Sequence, residues 1–305
     1  MCLSPKSIVN RHYVKVAGSL TGAFEVFRNA PDFFVKVDCG LCIDCLRKVG
    51  MHWRTRLLDE YHYWCRDDKR SKVHFVTLTI APEFYAAVKR SPQAYIRRFF
   101  ERYRKRYGVS FRHYLCSEYG EKRGRLHFHM ISFGMLCDIT ELRKLWKYGR
   151  VDMSVLQGPQ GANYVSSYVT KGVVKYFIDK SEKTFRLVSP GIGLRYCLDP
   201  ANRSFHYQNG KPVFLRFRQN GSPFAVPRYY LDKIFSPIDL HRRRSLYLSQ
   251  QNQLPSTPLM ANRRLFDSVA SYFQYLHSVG GAPCLFINQF AQLTPREQNA
   301  YFYGK

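Results

Sequence analysis

Two histidines stand two residues apart in GRLHFHMISFG, residues 124–134. Side chains of a β-strand alternate faces with period two, so His127, His129, Ile131 and Phe133 project to one side and Phe128, Met130 and Ser132 to the other. The preceding segment FRHYLCSEY offers Glu118 on the face shared by Tyr114 and Cys116. Two imidazoles and a carboxylate, completed by water and phosphate oxygens, suit Mn²⁺ or Mg²⁺ better than a closed zinc cage would. With ten histidines in the chain, one His-x-His arises by chance roughly one time in three. The plain alternative is one core histidine beside a solvated one.

A second set lies in YVSSYVTKGVVKY. On a helix, Tyr164, Tyr168, Lys171 and Lys175 fall at i, i+4, i+7 and i+11 and line one face. A phenol with its ordinary pKa of about 10 is a poor nucleophile and needs a neighbouring cation or a metal-polarised electrophile. The chain has 22 tyrosines, so one or two pairs at this spacing arise by chance, and a buried aromatic helix face would look the same.

A third set is CGLCIDC, in which Cys39, Cys42 and Cys45 follow a C-x2-C-x2-C pattern, with Cys2 or His52 available as a fourth ligand. Structural zinc is the first reading, an iron–sulfur cluster a second, and metal-free thiols the plain alternative. Finally, YIRRFFERYRKRYG and the following hairpin interleave basic and aromatic residues, as single-stranded nucleic acid binding requires. Arg97, Arg98, Arg102, Arg104, Lys105, Arg123, Arg125 and Lys175 are the candidate DNA contacts. A solvated amphipathic helix would explain RRFFERYRKR alone, but not the charge of the whole chain.

That charge is the loudest global signal: 48 Lys and Arg against 22 Asp and Glu, a formal net charge of +26. The sequence pI is near 9.9. Such an excess points to a polyanionic partner, nucleic acid ahead of an acidic membrane. No run of about 18 apolar residues exists, and MCLSPKSIVNRHYVKV lacks a signal-peptide core, so a soluble, unsecreted protein without a membrane partner is expected. Nine cysteines, an odd number, fit reduced thiols in a cytosol.

The elements that must position these residues follow from the pattern. A helix is expected after the cysteine cluster, a strand in KVHFVTLTI, and a basic helix from Ser91-Pro92 to Gly108. An antiparallel hairpin turning around Gly120 to Gly124 comes next, then a helix in DITELRKLWKY, a strand in GRVDMSVL and a helix in ANYVSSYVTKGVVKYFIDK. This β-α-β-β-α-β-α order fits an α+β fold, a central antiparallel sheet of the split βαβ, ferredoxin-like or RRM-like kind with helices on one side. The expected division is an N-terminal cysteine-cluster and helix segment over 1–66, a core over 67–180 and an extension over 181–305. In that extension a hairpin is expected at Asn209-Gly210 and a terminal helix at Thr294-Pro295.

The ordered set FVTLTI, EYGEKRGRLHFHMISFG and YVSSYVTKG resembles the three motifs of the HUH-type rolling-circle replication initiators. MCLSPK, CGLCIDCLRK, SPGIG and FAVPRYY look more narrowly like the initiators of microviruses, especially the gokushovirus-like single-stranded DNA phages. The likeness covers residues 36–195 well and the remainder patchily. It implies that His127, His129 and Glu118 are metal ligands, that Tyr164 and Tyr168 are paired nucleophiles, and that Lys171 lies next to the active face. Leu126 stands where many relatives have proline, and Gly172 follows Lys171 where a second lysine is common.

The implied activity is metal-assisted nicking of single-stranded viral origin DNA, with a 5′-phosphotyrosine, a free 3′-hydroxyl that primes replication, and later rejoining of the displaced strand. The implied setting is the cytoplasm of the bacterial host, with a host helicase and polymerase as further partners. Three competing readings are an HUH transposase or relaxase, a catalytically silent RRM-like module, and a zinc hydrolase. The last lacks an HExxH helix.

Overall fold

The computed structural model describes residues 6–31, 33–40, 43–66, 73–120, 124–156, 184–217, 221 and 223–253. Contacts divide the chain into two compact units, one formed by residues 49–254 and another that includes residues 1–48. In the latter, β1 (Lys6–Val9) pairs antiparallel with β2 (Phe34–Val37). Between them lie α1 (Arg11–Ala17) and α2 (Leu20–Phe27), capped by the Asn10 and Ser19 side chains. The long helix α3 (Ile43–Arg66) follows and belongs to the larger unit from Val49 onward.

The larger unit is built on β3 (Val73–Leu78), α4 (Pro82–Arg90), α5 (Pro92–Tyr107), β4 (Arg112–Tyr119), β5 (Leu126–Phe133), α6 (Ile139–Trp146), β6 (Val151–Val155) and β7 (Arg186–Val188). The starts and stops follow the sequence. Pro92 opens α5, Gly108 ends it at φ 71°, and the Asp138 carboxylate accepts from the Glu141 N–H at the start of α6. The five strands form one antiparallel sheet in the order β6-β3-β5-β4-β7. That order is compatible with a split βαβ arrangement, since β3 and β4 run parallel with β5 inserted between them.

Period-two alternation gives the sheet two distinct faces. On one, Val76, Leu78, Leu115, Phe128, Met130 and Val151 pack against Ile96, Phe99 and Tyr103 of α5 and Leu142, Leu145 and Trp146 of α6. On the other, Val73, Tyr114, Ile131 and Phe133 pack against Leu57 and Tyr61 of α3, with Trp53 and Trp64 at the margin. The expectation of helices on one side is therefore corrected: α3 covers part of the second face. The reason is visible in the sequence, because its apolar stripe needs a partner and the odd-numbered apolar residues of β3, β5 and the even-numbered ones of β4 supply it.

Buried polar contacts fix α3 on the sheet. The Glu60 carboxylate, fully buried, accepts from Arg112 Nε at 2.7 Å and from the Gly193 N–H at 2.8 Å. Trp64 packs so closely on Gly134 (φ 72°) that a Cβ there would approach the indole to 2.5 Å.

Beyond β7 come α7 (Leu194–Leu198), α8 (Pro200–Phe205), the two-residue strands β8 (Tyr207–Gln208) and β9 (Lys211–Pro212), β10 (Leu215–Phe217), β11 (Pro223–Ala225), α9 (Arg228–Ile234) and α10 (Pro237–Gln253). The expected Asn209-Gly210 turn joins β8 to β9, with φ 50° and 72° at its two central residues. This region is tied to α3 by Asp59, which accepts from Arg216 at 2.7 and 2.8 Å and from the Tyr230 hydroxyl at 2.7 Å. The expected helices around Tyr164 and at Thr294-Pro295 lie outside the described residues.

Removing one partner of a buried charge pair strands the other. Glu60→Ala should lower stability by about 3 kcal/mol or more, read as a reduced urea midpoint at constant slope. A change below about 0.5 kcal/mol would show that Glu60 does not hold α3 to the sheet.

Candidate functional site

The hairpin of β4 and β5 turns through Gly120 and Gly124, whose N–H groups donate to Arg125 O at 2.8 Å and Gly120 O at 2.9 Å. Its register sets Glu118 opposite His127 and Cys116 opposite His129. On the other flank of β5, Thr77 lies opposite His129; beyond it Asp152 lies opposite Thr77, and on the far side Arg186 lies opposite Cys116. Directly paired residues project to the same face. One row therefore crosses all five strands, Asp152, Thr77, His129, Cys116 and Arg186, with Glu118 and His127 in the next row. All lie on the face that α3 partly covers.

Within this group His129 is held at both ring nitrogens. Nε2 lies 2.9 Å from Glu118 Oε2 and Nδ1 lies 3.1 Å from Thr77 Oγ1. An ionised carboxylate only accepts, so the consistent assignment has Nε2–H donating to Glu118 and the Thr77 hydroxyl donating to Nδ1. Phe75 stacks on the His129 ring at 5.8 Å between centroids, and His127 lies nearly parallel to it at 6.4 Å. Gly120 leaves room for His127: a Cβ at that position would stand 3.3 Å from its Cε1. Burial lowers the His127 pKa below 6.5, helped by the neighbouring His129, while Glu118 pulls it back up. Its imidazole is thereby neutral at pH 7. Burial pushes the Cys116 thiol up, so it is an uncharged neighbour and not a nucleophile.

Glu118, His127 and His129 are thus brought to one face, as the sequence suggested. Among the described residues, however, no three His, Cys, Asp or Glu side chains already converge on a common point as a metal cage. The donor chemistry fits a hard divalent ion, with one carboxylate and two imidazoles, and the Glu118–His129 hydrogen bond occupies the lone pairs that such an ion would use. Thr77 and Arg186 were missed by the sequence reading. Thr77 was detectable, since it shares strand parity with Phe75 in FVTLTI, but its partner depends on a register that sequence does not give. Exposed Arg186, alone in a short edge strand, carried no signal.

The other expected site residues divide differently. Tyr164, Tyr168, Lys171 and Lys175 lie outside the described residues, as do Arg123, Cys2 and Cys42. Cys39 and Cys45 are buried with their sulfurs 3.8 Å apart. A Zn–S bond of about 2.3 Å gives a tetrahedral sulfur–sulfur edge of about 3.8 Å, so this pair matches two corners of a zinc thiolate site.

Two of the expected DNA contacts serve the fold instead. Arg102 donates to Leu145 O at 2.7 Å, Trp146 O at 3.3 Å and the Tyr148 hydroxyl at 3.2 Å, tying α5 to α6. Arg125 donates to Ile80 O at 2.8 Å and lies over the Tyr85 ring. Arg97, Arg98, Arg104 and Lys105 are exposed on α5, but α5 packs on the sheet face opposite the histidines. They cannot share a phosphate with His127 and His129, because the full thickness of the sheet intervenes.

Residues 73–173 match the family model of replication-associated proteins of the ORF2 type. The chain is 29% identical over 192 residues to the replication-associated protein ORF4 of Chlamydia phage 1, covering 54% of this chain and 43% of that one. It is 26% identical over 228 residues to the replication-associated protein ORF2 of Spiroplasma virus 4, covering 64% of this chain and 66% of the relative. The match therefore spans less than half of the first relative's length and just under two thirds of the second's. No solved structure matches the chain.

The geometry makes one prediction independent of any family. The His127 side chain, followed by NMR, should titrate below pH 6.5, and Glu118→Gln should move its midpoint further down by removing the charge that supports the imidazolium. A wild-type midpoint above 6.5 would contradict the burial described. The likeness to microvirus replication proteins read from the sequence stands: this chain is similar to replication-associated proteins of that group, and the stretch matching their family model carries Thr77, Glu118, His127 and His129.

Proposed function

We propose that this protein initiates replication of a single-stranded DNA phage genome by nicking origin DNA through a tyrosine, inside the bacterial host. The observation that carries the reading is the β4–β5 register, which sets Glu118, His127 and His129 on one sheet face within a stretch matching the replication-associated family model. In this reading the core is an HUH-type endonuclease, and Glu118, His127 and His129 hold Mn²⁺ or Mg²⁺.

When bound, such an ion draws charge from the non-bridging oxygens of the scissile phosphate. The protein's own groups do the rest. His129 gives up its hydrogen bond to Glu118 and keeps Thr77, whose hydroxyl can accept from Nδ1–H as readily as it donates to Nδ1, so the ring stays oriented in either tautomer. Neutral His127 has a lone pair available at pH 7. The phenol of Tyr164 or Tyr168, with Lys171 beside it in sequence, loses its proton and attacks phosphorus. The bond to the 3′ oxygen breaks, and that oxygen takes up a proton. A 5′-phosphotyrosine remains and the free 3′-hydroxyl primes synthesis. The adduct keeps the energy of the broken phosphodiester, so a second hydroxyl can rejoin the strand without ATP. Paired tyrosines allow one to cut while the other holds an adduct. Arg186, exposed on the same face, is suited to a phosphate of the bound strand. The Cys39–Cys45 pair serves a structural zinc ion in the same reading.

A labelled single-stranded oligonucleotide carrying the phage origin tests this directly. Wild-type protein with Mn²⁺ should give a protein–DNA band that survives denaturation. EDTA, His127→Ala or the double variant Tyr164→Phe/Tyr168→Phe should reduce it by at least about 100-fold. Metal analysis of the same preparation should find one zinc per chain. Tight, salt-sensitive binding with no adduct would instead favour a non-catalytic nucleic-acid-binding module. Capture restricted to other DNA ends would favour a transposase or relaxase.

A further inference from the structure

The basic surface of α5 lies on the far side of the sheet from the histidines and has no role in the chemistry proposed above. Helix periodicity separates its faces cleanly. Ile96, Phe99 and Tyr103 point into the core, while Arg97, Arg98, Arg104 and Lys105 occupy one exposed arc on the opposite side of the helix. Glu101 is the one acid within that arc. Among the described residues, none of the four basic side chains makes an ion pair, whereas the neighbouring Arg106 approaches Glu141 at 3.8 Å. α6, packed against α5, adds exposed Arg143 beside this surface. A solvated helix needs no such concentration of one sign, and like charges at i, i+1, i+7 and i+8 repel.

The aromatic residues decide which polyanion fits. Single-strand binding uses exposed rings as stacking platforms. Here Phe99 and Tyr103 are fully buried, and Phe100 is stacked on His113 at 4.1 Å between ring centroids. The cavity of about 260 Å³ beside the helix is rimmed by Arg97 and Arg104, but its floor of Phe111 and Tyr103 is sealed by packing. What α5 offers is point charges on a rigid rod, spaced by about 10 Å from Arg97 to Arg104, with no ring free to take an unpaired base. Duplex DNA, with about one phosphate charge per 1.7 Å of axis and its bases enclosed, complements that surface.

We infer that the exposed face of α5 binds the phosphate backbone of duplex DNA through Arg97, Arg98, Arg104 and Lys105, as a second nucleic-acid site on the sheet face opposite the histidines. This site does not depend on the metal or the tyrosines. It would let the protein grip double-stranded DNA while a single strand occupies the other face.

The test is fluorescence anisotropy of the full chain with a labelled 20-base-pair duplex of arbitrary sequence and with a single strand of equal length, from 50 to 300 mM KCl. The quadruple variant Arg97→Gln/Arg98→Gln/Arg104→Gln/Lys105→Gln should lower duplex affinity at least tenfold. It should also reduce the salt slope by about three, since each lost phosphate contact removes about 0.9. Single-strand affinity should fall much less. Replacing the three arginines by lysine should restore the slope, because a phosphate contact needs charge and not the guanidinium fork. His127→Ala/His129→Ala should bind duplex as wild type does. Thermal melts of all variants should match, as the changed side chains of α5 are exposed.

An unchanged duplex slope in the quadruple variant would overturn the inference. So would equal losses on duplex and single strand, absence of duplex binding by the wild type, or loss of duplex binding in the histidine variant.

Discussion

The site depends on one constraint, the register of β4 against β5. With Glu118 opposite His127 and Cys116 opposite His129, one carboxylate and two imidazoles share a face. A slip of one residue on either strand would send half of that set into the core with Leu115, Phe128 and Met130. The hydrophobic alternation of the two strands therefore guards the site. Any slipped register would bury the polar set and expose that apolar row, which costs roughly 1.5–3 kcal/mol for each large side chain. The Gly120–Gly124 turn pins the same register from its closed end, and the pairing of Thr77 with His129 extends it to a third strand.

The second consequence is a division of labour between faces. One face is given wholly to α4, α5 and α6 and closes a dense aromatic core around Trp146, whose indole N–H donates to Thr79 O at 2.7 Å. The other is covered by α3 at one end only, with Glu60 and Asp59 as buried polar anchors to the segment beyond β7. The end that α3 does not cover carries the histidines, Glu118 and Arg186. Rigidity at one end of the face and chemistry at the other are what a preorganised site requires.

Much of this was legible in sequence because the deciding signals are local. Alternation announced β3, β4 and β5, Pro92 and Gly108 bracketed α5, Asn209-Gly210 fixed a two-residue turn, and His-x-His implied two imidazoles on one side. What escaped is non-local. The placement of α3 on the second face depends on which apolar stripes meet in three dimensions. Arg102 read as a phosphate contact because its neighbours are basic, yet helix phase turns it toward the carbonyls at the end of α6. The α5 arginines were assigned to the histidine site by nearness in sequence alone. Thr77 and Arg186 join the site only through strand pairing across 52 and 70 residues.

The central claim is that this face holds one divalent ion through both histidines. Pulsed electron paramagnetic resonance of the Mn²⁺-loaded protein, reading nitrogen couplings to the metal, tests it most directly. Coupling to two imidazole nitrogens is expected in the wild type, to one in His127→Ala and to one in His129→Ala. Absence of nitrogen coupling in the wild type, or a signal unchanged by either substitution, would contradict it.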